Sequence, residues 1–122
     1  MQITKKQEEE IEKVREFLEE NGIELDLSLE DENYIDYNES KIVVHIGQPH
    51  KHILYTALHE IGHYFNDFLP ASNSHAAVVI EEVLAWDLGK DVAATIGIEI
   101  DEEVWNDLMV ECIGKYIKYP TI

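Results

Sequence analysis

The run His59-Glu60-Ile61-Gly62-His63 sets two imidazoles and a carboxylate within five consecutive residues. On a helix, four residues make about 1.1 turns, so both histidines leave one face about 6 Å apart along the axis. Two imidazoles so placed can bind one tetrahedral Zn2+. The glutamate between them projects beside the ion, where it can take a proton from water. The neighbours Leu58, Ile61 and Phe65 are apolar, and imidazoles in such a setting are costly unless hydrogen-bonded or metal-bound. His59 and His63 are therefore candidate metal ligands, and Glu60 is a candidate catalytic base.

A zinc site needs a third protein ligand. The extension of the motif that places glycine and then histidine further along the chain is ruled out, because those positions hold Asn66 and Leu69. A carboxylate on the next helix is the other common solution, and Glu81 and Glu82 lie there. Adjacent acids in a strongly apolar helix are expensive if unpaired. Both have apolar neighbours three and four residues away, so helical phase leaves either open. His75, seven residues before Glu82 and on its stripe, favours Glu82.

The elements that must carry these groups are marked by caps and periodicity. Thr4 with Gln7 forms a capping-box signature, and Ile11, Val14, Phe17 and Leu18 then make one amphipathic stripe that Asn21-Gly22 ends. Ile23, Leu25, Leu27 and Leu29 alternate with polar residues, as in a half-buried strand. Residues 34–37 and 41–46 read as two strands of a hairpin joined through Asn38-Glu39-Ser40. Gly47-Gln48-Pro49 leads into a helix over about 51–68, which holds the motif. A third helix over about 75–95, with Ser74 as its N-cap, is apolar almost all round in its first half, the pattern of a buried helix. Gly97 stops it, and Asp101 caps a fourth helix whose broad apolar face includes Trp105, Leu108 and Cys112. The reading is one α+β domain spanning residues 1–122.

The run from Ile53 to Phe65 resembles the active-site helix of zincin metallopeptidases, and within them it is most similar to the ImmA/IrrE-type gluzincins of bacteria and their phages. Those proteins carry a strand, a short loop and a helix with the same two-histidine motif, then E-x-x-A on the next helix, which Glu82-Val83-Leu84-Ala85 matches. The resemblance covers roughly residues 41–90. It implies a minimal zincin-like domain, zinc on His59, His63 and Glu82, and Glu60 as catalytic base. The arginine–aromatic pair that often precedes the motif is replaced by Ile53-Leu54-Tyr55. The family's helix-turn-helix and sensor domains are not recognised in this sequence.

Composition sets the outer limits. Among 122 residues, 26 are acidic and 9 basic, a formal charge of −17, concentrated in the two flanks while residues 40–80 balance to zero. Such a polyanion repels phosphate backbones, which disfavours direct nucleic-acid binding. The longest apolar run, residues 76–80, is far too short to span a bilayer, and no apolar segment follows the first six residues as in a secretory signal. One cysteine excludes an intramolecular disulfide framework and a cysteine-rich zinc site. The expected setting is cytoplasmic.

Further side chains have assigned expectations. Tyr55 and His75 are candidates to stabilise an oxyanion. His45, His50 and His52 are expected at the surface or in the strand, and Cys112 in the core. Strand 41–46 is expected to be the edge that pairs with an extended substrate. Gly62 is expected to admit a closely packed neighbour. Two functions follow: a zinc-dependent endopeptidase acting on a protein or peptide substrate, a basic one included, or a zincin-like acidic module that binds a basic protein partner.

Overall fold

The computed structural model describes residues 4–66 and 75–117, without the side chains of His75, Tyr116 and Ile117. Its elements are α1 (Lys5–Glu20), β1 (Glu24–Ser28), β2 (Tyr34–Asp36), β3 (Lys41–His45), α2 (His50–Phe65), α3 (His75–Thr95) and α4 (Glu102–Ile117). This is the expected α+β fold. Ser74 lies outside the described residues, as does the stretch of the motif helix that was expected beyond position 66.

The caps are set by local chemistry. Thr4 Oγ1 accepts from the Gln7 N–H at 3.2 Å while Gln7 Oε1 accepts from the Thr4 N–H at 2.9 Å, closing the capping box of α1. Gly22, at φ +73°, and Gly97, at φ +80°, end α1 and α3 in the left-handed conformation. In each case the following isoleucine N–H returns to a carbonyl of the last turn, Ile23 to Leu18 and Ile98 to Ala93, both at 2.8 Å. Asp101 Oδ1 accepts from the Val104 N–H at 3.3 Å and so caps α4.

The sheet order is β1-β3-β2, with β1 parallel and β2 antiparallel to β3. This corrects one expectation: β3 is the central strand, so it cannot offer an edge to a substrate. The edges are β1 and β2. The expected alternation holds for Ile23, just before β1, and for Leu25 within it, which are both buried, but Leu29 is 85% exposed because pairing stops at Ser28.

Ile42 and Val44 of β3 face a core that takes in Val14 and Leu18 of α1, Leu54, Leu58 and Ile61 of α2, Trp86 of α3 and Trp105 of α4. α3 lies between α2 and α4. Its buried face is Glu82, Ala85, Trp86, Gly89 and Ala93, whereas Ile80, Val83 and Leu84 are exposed. The expectation of a wholly buried helix is thus corrected: both neighbours of α3 pack on one half of its circumference.

Candidate metal centre

α2 presents His59, Glu60 and His63, and α3 presents Glu81 and Glu82, all to one cleft of about 620 Å3. The two helices approach closely because of two glycines. A β-carbon on Gly62 would overlap the backbone carbonyl of Ala85, and one on Gly89 would overlap the carbonyl of Leu58. The expected role of Gly62 is the observed one.

Across this contact, Glu82 Oε2 lies 2.9 Å from His59 Nε2 and 2.8 Å from His63 Nε2. Glu82 is 5% exposed and His59 7%. Among the described residues, no lysine or arginine pairs with Glu82. Glu81 takes a different place, its Oε1 standing 3.7 Å from His63 Nδ1. The two acids that helical phase left open are therefore distinct in position: Glu82 meets both imidazoles at the ring nitrogens facing the cleft, and Glu81 meets the far nitrogen of one.

The electrostatics follow from this crowding. Burial alone would raise the Glu82 pKa, but the two imidazole hydrogen bonds and their charges outweigh it and hold the carboxyl well below its usual 4.5. Burial alone would lower His63, yet Glu82, with Glu60 and Glu81 behind it, raises its pKa above 6.5. Glu60 is pushed above 4.5, chiefly by burial and further by Glu82, against the pull of both histidines. His59 is held by stacking, its ring 4.1 Å from that of Trp86 and 11° from parallel. Trp86 in turn meets Trp105 edge-on at 5.0 Å, and Trp105 meets Tyr55 at 5.3 Å.

Several residues fall elsewhere than expected. Tyr55 is buried away from the cleft, and its hydroxyl accepts from the Asp101 N–H at 2.7 Å, so it is not an oxyanion donor. The side chain of His75 lies outside the described residues. His45 ends β3 and contacts Asp31, but His50 is not at the surface, its side chain being 10% exposed and set against Glu10, and His52 lines the cleft. Cys112 is not simply core: its Sγ is 3.9 Å from Glu82 Oε1, and burial together with the Glu82 charge pushes its thiol up to about 11. Tyr37 also went unread. Its ring stacks on Tyr64 at 5.5 Å, and burial plus the charges of Glu60 and Glu81 raise its pKa above 10. Neither position carries a local signal, since Tyr37 lies on a short hairpin and Cys112 on a broadly apolar helix.

The donor set suits a divalent cation. Zn2+ bonds of about 2.0–2.2 Å in a tetrahedron put neighbouring N and O donors roughly 3.3 Å apart, within about half an ångström of the separations between Glu82 and each histidine. The ligand atoms of His59, Glu82 and Cys112 also lie within 4.8 Å of one another. Glu60, Glu81, Glu82 and Glu111 line the cleft against one cation, Lys115. No family model, curated protein or solved structure matches the chain.

Proposed function

We propose that this chain is a zinc-dependent metallopeptidase of the gluzincin kind, with His59, His63 and Glu82 holding the ion and Glu60 acting as general base. The observation that carries the reading is the convergence of His59 Nε2 and His63 Nε2 on one carboxylate oxygen of buried Glu82. Two imidazoles and a carboxylate at the head of a cleft, with a second carboxylate beside them, are the parts a hydrolytic metal centre needs. An ion in this position supplies Lewis acidity, lowering the pKa of adjacent water towards roughly 7 and polarising a carbonyl.

The chain's own groups do the rest. Glu60, with its side chain 14% exposed, has a pKa raised by burial. It can accept a proton from the attacking water and return it to the leaving amine. His52 and Lys115, among donors of the cleft that also include Asn33, Gln48 and Thr56, could face a developing oxyanion in place of Tyr55. An extended peptide would add to the edge strand β2, next to Tyr37 and Asn33, rather than to β3. The acid excess of the cleft favours a basic substrate segment.

The test is hydrolysis of a mixed-sequence peptide set, with and without a chelator, by wild type and Glu60→Ala. The reading expects chelator-sensitive cleavage that Glu60→Ala loses while still holding its ion. Cleavage by Glu60→Ala at the wild-type rate would overturn the mechanism.

A further inference from the structure

Cys112 reaches the metal centre from a third helix. Its Sγ lies 3.9 Å from Glu82 Oε1, and the ligand atoms of Cys112, Glu82 and His59 are mutually within 4.8 Å. The two groups it meets are the most buried polar side chains of the core, at 5% and 7% exposure. A sulfur and an oxygen on one tetrahedral ion stand about 3.6 Å apart, given bonds of about 2.3 and 2.1 Å. The observed separation, a few tenths of an ångström longer, is to the carboxylate oxygen other than the one that meets the histidines, so Sγ stands on the opposite side of the same carboxylate.

The register of α4 makes this approach a property of the fold rather than of one rotamer. Two turns before Cys112, Trp105 packs edge-on against Trp86, and at the start of the helix Glu102 pairs with Lys90. Both contacts run antiparallel along α3 and bring position 112 within about a turn of Glu82.

We propose that Cys112 is a fourth protein ligand to the ion held by His59, His63 and Glu82, and that its thiolate closes the centre. The inference rests on the metal-binding reading above. Ligation breaks the S–H bond, forms a sulfur–metal bond and releases the proton to solvent. Four protein donors fill a tetrahedron, the arrangement of structural zinc sites, whereas catalytic sites keep one position for water or substrate. Thiolate and water thus compete for the fourth position, and the wild-type chain cleaves in the fraction of molecules in which water holds it.

Cobalt(II) distinguishes the cases, because thiolate ligation adds a sulfur-to-cobalt charge-transfer band in the near ultraviolet to the visible bands of a tetrahedral ion. The experiment loads the full chain with Co2+ as wild type, Cys112→Ala and Cys112→Ser. One cobalt per wild-type chain with the charge-transfer band, and retention of cobalt without that band in either variant, is the expected result. The wild-type spectrum is decisive even if one variant fails to fold. Stoichiometric cobalt in wild type with visible bands alone would overturn the role of Cys112 and leave the histidine–glutamate site standing. Absence of bound cobalt would overturn both.

Discussion

Gly62 lies so close to Ala85 that the backbone carbonyl of Ala85 occupies the place a β-carbon at position 62 would need. One helical turn away along each helix, Gly89 has the same relation to the carbonyl of Leu58. Gly62 adjoins His63 and Ala85 lies about one turn from Glu82, so the two contacts hold the helices together beside the centre, and its spacing is set by two missing side chains. In a free helix, Gly62→Ala would gain about 1 kcal/mol from propensity. Here the obstacle is backbone, which no rotamer change relieves, and overpacking costs about 1–3 kcal/mol. The expected outcome for Gly62→Ala is net destabilisation in urea unfolding together with lost metal binding. A variant as stable as wild type would mean the helices part freely.

Tyr55 carries a prediction of the opposite kind. Its hydroxyl satisfies the Asp101 N–H at the head of α4, so Tyr55→Phe should lower stability by about 1 kcal/mol. Metal content and peptide cleavage should not change. A selective fall in cleavage rate with stability intact would return Tyr55 to the reaction.

Asp101 gives the pH dependence. The hydrogen bond from Lys51 at 2.7 Å is the main cause that holds its carboxyl below 3.8, with the Val104 N–H adding to it. A depressed carboxylate contributes stability that is present above the unfolded value and is lost as pH falls through the folded one. Urea midpoints of wild type and Asp101→Ala should therefore differ at neutral pH and converge in acid below 3.8. A difference that is constant with pH would exclude the ionised cap.

Glu60 tests the chemistry apart from the metal. Glu60→Gln keeps the shape and loses the base, and general-base catalysis contributes about 10²–10⁴-fold. A fall of that size in peptide cleavage, with the ion retained, is expected. A variant that instead loses its ion would make Glu60 part of the binding site.

Much of the fold was legible because its signals are local. The Thr4–Gln7 box, the left-handed glycines 22 and 97 and the Asp101 cap each act within a few residues, and periodicity placed the helices between them. What the sequence left unread depends on how elements meet. The parallel pairing of β1 with β3 joins strands on either side of β2 in the chain, so strand order has no local mark, and the edge was assigned to β3 instead of β2. The exposed Ile80, Val83 and Leu84 look like core until both neighbours of α3 are known to share one face. At the centre, the spacing of His59 and His63 was readable from one helix. His75 and the E-x-x-A match favour Glu82 over Glu81 in the sequence, but the separate positions of the two acids, and the arrival of Cys112, needed the registers of α3 against α2 and of α4 against α3.

Elemental mass spectrometry of the purified chain tests the central claim most directly, with His63→Ala, Glu82→Ala and Glu81→Ala measured beside wild type. The account predicts about one zinc per wild-type chain, held more weakly against a chelator in His63→Ala and Glu82→Ala and as tightly as in wild type in Glu81→Ala. Wild-type protein without zinc after purification in supplemented medium would contradict it, and so would zinc held as tightly by Glu82→Ala as by wild type.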